Sequence, residues 1–259
     1  MPNDALYVYG IIKFGFDLDW KGLGLNGNDV YTINESGFSA LIHDCEEKPY
    51  MSEDPNKIKD LIITHNQILD KAIKHFDGVI PLHFNTIIKK GENTAQDNLK
   101  KWLNDNKEKL EKVWNKVEGK KEYSIRIYYE KEKLIQEVSD DEEIKELEDN
   151  QQGKSKGLSY LLQTKVKSKI DEIAWNRINQ FKQKFYDDIR KVADDIKVNV
   201  SRIFIDEEKD LLLSLSILVN NHQISKIKKI LEQKCGNDFS FQLSGPFAPY
   251  SFVENETEP

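Results

Sequence analysis

The sequence predicts an α+β fold made of two domains. Short β-type runs alternate with amphipathic helices along the first half, a long amphipathic stretch dominates the second half, and an acidic and polar segment separates them. A chain of 259 residues is long enough to bury two cores of ordinary size. The expected boundaries are residues 1–138 for the first domain, 139–157 for an acidic and polar linker, and 158–259 for the second domain.

The strands of the first domain follow from hydrophobic patterning. Residues 6–13 are apolar on both faces and predict a central strand. A glycine-rich connection leads to two runs at 30–33 and 38–43, whose separation by Asn-Glu-Ser-Gly is typical of a hairpin. The run at 79–84 predicts another strand, which Pro81 confines to an edge or a bulge because proline lacks a backbone N–H.

Two helices are predicted between these strands. The first begins at Asp54 and Pro55, because aspartate is a good N-cap and proline is favoured in the first helical turn. The second covers residues 94–117, where apolar residues form one stripe. A half-buried strand at 122–130 completes a mixed or antiparallel sheet with helices on one face.

The second domain is predicted to be a long helix packed on a small antiparallel sheet. An apolar stripe over residues 158–196 fits one long helix or two with a bend, and its mostly four-residue steps favour packing on a sheet over a coiled coil. The remaining pattern predicts a hairpin of two strands at 202–205 and 211–219. It also predicts a helix at 223–234 and a last strand at 239–243.

The most distinctive segment is residues 244–253. Gly245 permits a positive φ, while Pro246 and Pro249 fix φ and remove two backbone donors. We therefore expect an ordered extended turn that carries its aromatic side chains to fixed places. The alternative is a terminal segment that only covers a hydrophobic seam.

Composition limits the classes of function. The net charge of −7 and the pI near 5.4 repel nucleic acid and anionic lipid, so we expect no nucleic-acid and no membrane partner. No apolar run approaches the roughly 18 residues of a spanning helix, and the first residues lack the pattern of a signal peptide, which predicts a cytoplasmic location. Cys45 and Cys235 are expected to be buried thiols.

Candidate motifs for chemistry are weak. Gly22, Gly24 and Gly27 match GxGxxG, but β-type residues follow instead of a helix, so we reject a nucleotide site. His65 lies in an apolar stripe, as a core histidine would, and His83 either faces a cleft or caps a strand edge. The local signatures of hydrolases and metalloproteases are absent from the sequence, so we predict no catalytic residues, no cofactor and no metal.

One other function stays open at this point. Aromatic and basic side chains are interleaved over residues 123–129, which suits an RNA-stacking strand as well as an ordinary strand. An RNA- or nucleotide-binding α+β module is therefore the alternative, although the acidic charge argues against it.

Five segments, taken together and in order, make the chain similar to the gas vesicle protein F/L family. They are LYVYGI at 6–11, THNQIL at 64–69, VIPLHFNT at 79–86, GKKEYSIR at 119–126 and GPFAPYSF at 245–252. The chain departs from the usual family pattern at His83, Asn85 and Asn66, where the family often has arginine, glycine and glutamate.

The resemblance implies a ferredoxin-like first domain and a non-enzymatic accessory protein of gas vesicles, the hollow protein-walled organelles that give aquatic microbes buoyancy. It implies an assembly factor or minor structural component, located at the gas vesicle, that binds the small hydrophobic major shell protein and other gas vesicle accessory proteins. The family-motif positions expected to serve structure or partner contact are Tyr9, Gly10, His65, Pro81, His83, Phe84, Gly245, Pro246, Pro249 and Tyr250.

Overall fold

Helices and two sheets make up the described part of the chain, which confirms the α+β class. The computed structural model describes residues 4–13, 18, 20–149, 156–200, 210–236 and 238–253. They form two units. Unit 1 consists of the described residues within 1–123, 218–221 and 245–259. Unit 2 consists of the described residues within 124–217 and 222–244.

The sheet of unit 1 is antiparallel and centred on the first strand. Its strand order is β2-β3-β1-β4, with β5 also paired to β1. Every residue of β1 except Lys13 is buried, so the predicted central strand and the hairpin that follows it are confirmed. The strands are β1 (Ala5–Lys13), β2 (Tyr31–Glu35), β3 (Phe38–Cys45), β4 (Ile80–Pro81) and β5 (Ile87–Lys89).

Strand β4 is shorter than the six residues predicted. Pro81 pairs with Gly10 at the end of the strand order, as its missing N–H requires. The backbone N–H of Leu82 donates one more bond, to the carbonyl oxygen of Tyr9, and the chain then turns so that Thr86 donates to the carbonyl of His83. The turn ends the strand before His83.

The helices of unit 1 are α1 (Pro55–His75), α2 (Ala95–Asp105) and α3 (Lys107–Val117). Asp54 caps α1 by accepting the backbone N–H of Asn56 at 2.9 Å, as predicted. The prediction of one helix over 94–117 is wrong, because Asn106 has φ −102° and ψ 10° and interrupts it. The Asn106 side-chain amide donates to the carbonyl oxygen of Trp102 at 2.9 Å, so asparagine competes with the helical pattern here.

Two apolar cores lie on opposite faces of the unit 1 sheet. One joins Leu6 and Val8 to the buried faces of α2 and α3, and the other joins Tyr7 and Tyr9 to α1. The expectation of helices on one face is therefore wrong. The cause is the apolar character of β1 on both faces, which requires cover on both sides.

Unit 2 contains most of the second sheet, whose strand order is β7-β8-β6-β9. Of the two predicted arrangements, one long helix or two with a bend, the structure has the continuous helix α6, which ends at Arg190, and Ile196 of the predicted stripe lies in β7. Part of the acidic segment forms α5, in which Ile144 is buried. The elements are β6 (Lys121–Tyr129), α4 (Lys131–Ser139), α5 (Glu142–Asp149), α6 (Lys156–Arg190), β7 (Asp195–Val198), β8 (Asp210–Val219), α7 (Asn221–Cys235) and β9 (Phe239–Phe247).

The last described segment differs in part from the expected extended turn. Strand β9 continues through Gly245, which has φ +128°, to Phe247. A short helix, α8 (Tyr250–Val253), then follows Pro249, whose fixed φ suits a helix start. The predicted strand at 202–205 and residues 150–155 of the predicted linker lie outside the described residues.

Candidate functional site

His65 lies at the centre of a buried hydrogen-bond network in unit 1. The apolar stripe of α1 turns it inward, and only 1% of its surface is exposed. Its Nδ1 lies 2.8 Å from the hydroxyl of Tyr7, and its Nε2 lies 2.8 Å from the hydroxyl of Tyr250 and 3.2 Å from the carbonyl oxygen of Leu82. We call this set, together with Asn66 and Asn85, the His65 network.

The direction of each bond in the His65 network follows from its fixed groups. The Leu82 carbonyl can only accept, so His65 carries its proton on Nε2 and accepts from the Tyr7 hydroxyl at Nδ1. The Tyr7 oxygen in turn accepts the backbone N–H of Asn85 at 3.1 Å. Tyr250 donates its hydroxyl proton to Oδ1 of Asn66 at 3.3 Å. Each proton in this chain of bonds therefore has an acceptor.

Asn85 occupies a backbone position that few side chains tolerate. Its φ is +70°, in the left-handed region that asparagine adopts more readily than most residues. Its side chain bonds both backbone groups of Tyr50, accepting from the N–H at 2.8 Å and donating to the carbonyl at 3.2 Å. The asparagine thus stands where a glycine suits the backbone, and it adds a polar contact that glycine lacks.

Tyr9 and Gly10 hold neighbouring segments against β1. The Tyr9 hydroxyl accepts the backbone N–H of Leu25 at 2.9 Å and so anchors the glycine-rich loop, in which a single 3-10 turn replaces the helix of a nucleotide site. A Cβ atom on Gly10 would lie 2.8 Å from the Ile80 carbonyl oxygen and 2.9 Å from Cδ2 of Leu69. Only glycine permits this approach of β4 and α1.

The last described segment, residues 245–253, which we call the tail, is fixed by a second polar contact. Glu122 is 7% exposed, and its carboxylate accepts the backbone N–H of Ser251 at 2.9 Å and the Ser251 hydroxyl at 2.6 Å. A Cβ atom on Gly245 would lie 2.7 Å from Cδ1 of Tyr123. Phe252 is buried beside this contact. The tail is therefore an integral part of unit 1.

Burial keeps the histidines and tyrosines in the core of this region neutral. It lowers the pKa of His65 to about 4 and, with a smaller contribution from His65, that of His43 to about 4. It also raises the pKa of Tyr7, Tyr9 and Tyr250 above the usual tyrosine value. A general base needs a pKa near the working pH, which neither histidine has. The geometry instead supports a positioning role for these side chains.

Eight of the ten predicted motif positions fall into two groups, and Pro249 directly precedes α8. Tyr9, Gly10, His65, Pro81, Phe84 and Tyr250 meet between β1, β4, α1 and α8, and Gly245 and Pro246 lie in β9 at the start of the tail. His83 is exposed, with its ring 6.3 Å from that of Tyr250. Sequence reasoning missed Glu122, Tyr7 and Ser251 as members of the site. A carboxylate in an alternating strand carries no local sign that it is buried.

Other binding features in the described part of the chain are modest. A cleft of about 450 Å³ in unit 1 is lined by Asp44, Glu46, Tyr50 and Lys57 among others, a mixed-charge wall unlike the mostly apolar lining of small-molecule sites. Among the described residues, no three His, Cys, Asp or Glu side chains lie close enough to hold a metal ion. None of the described helices has the length and apolarity that a membrane crossing requires. Both cysteines are free and buried, as predicted.

Comparison with known proteins gives consistent matches along the chain. The sequence matches the family described as gas vesicle synthesis protein GvpL/GvpF over residues 5–254. It is 25% identical to gas vesicle protein L of Haloferax mediterranei over 243 residues, which is 91% of this chain and 74% of that protein. It is 21% identical to gas vesicle protein F of a Nostoc species over 257 residues, which is 97% of this chain and 99% of that protein.

Two crystal structures share the fold. The structure of GvpF from Anabaena sp. PCC7120 has a TM-score of 0.76 at 21% identity and covers 98% of this chain and 100% of that one. The structure of GvpF from Microcystis aeruginosa has a TM-score of 0.66 at 19% identity and covers 97% and 99%.

Proposed function

Because the chain belongs to the gas vesicle synthesis protein GvpL/GvpF family, we propose that it binds the major gas vesicle shell protein, together with other gas vesicle accessory proteins, during vesicle formation. The family match over residues 5–254 is the observation that carries this proposal. The named relatives are gas vesicle proteins as well. The proposed role is that of an assembly factor or minor structural component at the gas vesicle in the cytoplasm.

Unit 1 offers a surface that suits an apolar subunit. Met51, Ile62 and Ile63 are 78%, 39% and 42% exposed, and the two isoleucines are neighbours on the outer side of α1. Met51 and Leu61 line the same cleft, which brings Met51 close to this part of the helix. Exposed apolar side chains on a charged body are what a partner of a hydrophobic subunit needs. We propose these three residues as the contact with the shell protein.

The proposed role is not enzymatic. The buried histidines of the site have a pKa of about 4, and the hydroxyls around His65 are held in bonds that leave no activated nucleophile. The site therefore supports a structural function, in which the His65 network holds α8 and β4 against α1.

The RNA-binding alternative gains no support from the site. The strand that this alternative would use to stack RNA bases is β6, in which Tyr123 lies against the backbone of Gly245. Burial raises the pKa of Tyr123 and Tyr129, because neighbouring groups partly cover both side chains.

The test is co-purification of the full chain with the major shell protein after co-expression. We expect the intact chain to retain shell protein, and Ile62→Ser with Ile63→Ser to reduce retention at least tenfold. Tyr160→Ser with Leu161→Ser is the matched control, because these side chains are also exposed but lie on α6 in unit 2. Point variants are preferable to truncated chains, because the described residues 245–253 belong to unit 1 and follow unit 2 in sequence.

If the intact chain retained no shell protein, the proposed function would be wrong. Nucleic acid that co-purified in its place would favour the RNA-binding alternative. Equal loss in both double variants would show that unit 1 is not the specific contact.

A further inference from the structure

We infer that a groove in unit 2 is a docking site for a protein segment that presents one leucine-sized apolar side chain between lysine or arginine residues. The groove lies among α4, α6 and the strands of the second sheet. Its floor is apolar, formed by Leu134, Ile178, Phe181, Leu212 and Phe239. This inference is independent of the proposed shell-protein contact, which lies in unit 1.

The floor of the groove is held by aromatic packing. The Phe239 ring meets Phe181 edge to face at a centroid distance of 4.9 Å and Phe185 in the same manner at 5.4 Å. Such pairs fix ring orientation, so the groove is largely formed before a ligand arrives. Phe181 and Phe239 remain partly exposed at the groove, while Phe185 is buried beneath them. An apolar side chain placed there would remove their exposed area from water.

The size of the groove selects its occupant. Its volume is about 40 Å³, far below the roughly 300 Å³ at which small-molecule and cofactor sites begin. One water needs roughly 10–15 Å³ on the same measure, so the groove holds about three or four heavy atoms. That matches the four side-chain carbons of leucine. Pockets of this kind receive single anchor residues at protein interfaces.

The rim of the groove selects the charge of the flanking residues. Among the described residues that line the groove, Glu130, Glu137 and Asp238 carry three negative charges, and Lys133, which pairs with Asp238, carries one positive charge. Two negative charges are therefore in excess around an apolar floor. Lysine or arginine beside the anchor would complement this rim, and an acidic segment would be repelled. Glu130 and Glu137 are exposed, so cations can reach them without being buried.

The test uses a fluorescein-labelled peptide, Gly-Ser-Arg-Leu-Arg-Ser-Gly, titrated with the full chain and followed by fluorescence anisotropy. We expect saturable binding that weakens with added salt. We expect binding to weaken at least tenfold when the peptide leucine is replaced by alanine, and likewise when both arginines are replaced by glutamate. These two control peptides separate the apolar anchor from the flanking charge.

The matched protein variants are Glu130→Gln with Glu137→Gln, and Glu132→Gln. The first pair removes the two exposed glutamate charges of the rim and is expected to lower affinity about tenfold. Glu132 is exposed on the same helix but does not line the groove, so its variant is expected to bind like the original chain. Absence of saturable binding, or equal affinity for the original chain and the rim variant, would overturn the inference. Thermal unfolding checks that both variants are folded.

Discussion

Glu122 and Ser251 are 129 residues apart in sequence and are joined by two hydrogen bonds. The buried carboxylate accepts the backbone N–H of Ser251 at one oxygen and its hydroxyl at the other. Bonds to a charged acceptor are stronger than those between neutral groups. This pair therefore connects the beginning of β6 to α8 and fixes where the tail runs.

Removal of the Glu122 carboxylate should loosen the tail. We expect Glu122→Ala to lower the free energy of unfolding by about 2 kcal/mol, because the Ser251 N–H would lose its partner. Urea denaturation followed by circular dichroism measures this loss. Glu118→Ala is the control, since Glu118 is exposed and should change stability by less than about 0.5 kcal/mol. Equal effects of the two substitutions would show that the bonds to Ser251 contribute little.

Stability should fall in mild acid. Both His65 and His43 have a folded pKa of about 4, below the value of about 6.5 in an unfolded chain, so the unfolded state binds more protons between these limits. The free energy of unfolding is therefore full above pH 6.5 and decreases as the pH drops toward 4. We expect a loss of roughly 2 kcal/mol for each histidine between pH 7.5 and pH 5.

The contribution of His65 to this pH dependence can be isolated. A proton on its Nδ1 would turn the Tyr7 hydroxyl away from its only bonded acceptor in the His65 network. We expect His65→Gln to be less stable at pH 7.5 but to lose about 2 kcal/mol less than the original chain on acidification. His75→Gln is the control, because His75 is exposed. An unchanged pH dependence in His65→Gln would contradict the assignment.

A side chain at Gly10 should disturb unit 1. The Cβ of alanine would lie 2.8 Å from the backbone carbonyl oxygen of Ile80 and 2.9 Å from the Leu69 side chain, so the backbone of β1 or β4 would have to move. We expect Gly10→Ala to cost about 1–3 kcal/mol of unfolding free energy, as overpacking does. Gly91→Ala is the matched control, because a Cβ there would have its nearest neighbour at 3.9 Å. Equal unfolding midpoints would show that β4 adapts without strain.

Asn85 should tolerate glycine better than alanine. Both substitutions remove the bonds to Tyr50, but only alanine would also hold a Cβ atom at φ +70° without the local bonding of asparagine. We expect Asn85→Ala to be about 1 kcal/mol less stable than Asn85→Gly. Thermal unfolding of the two variants side by side measures the difference. A more stable alanine variant would mean that the backbone changes conformation there.

Local patterns were sufficient for the elements that local physics controls. The cap at Asp54, the stripe of α1 and the two apolar faces of β1 were all evident in the sequence. The break at Asn106 and the shortness of β4 were not evident in the sequence. Each depends on a local backbone conformation within a pattern that otherwise fits a longer element. The candidate site was harder to predict from the sequence than the fold. His65 was expected in the core, but its partners Tyr7 and Tyr250 come from distant segments that only the tertiary fold brings together.

The return of residues 245–253 to unit 1 has a consequence for biosynthesis. A chain leaving the ribosome presents most of unit 1 early, but Tyr250 and Ser251 are made only after all the described residues of unit 2. Until then, the partners of these residues on α1 and β6 lack their final contacts. Domains commonly fold as units during synthesis, in order of their appearance. In this protein, unit 1 begins to emerge first but lacks the contacts of Tyr250 and Ser251 until unit 2 has been synthesised. A product terminated before these two residues would therefore lack the contacts that they make.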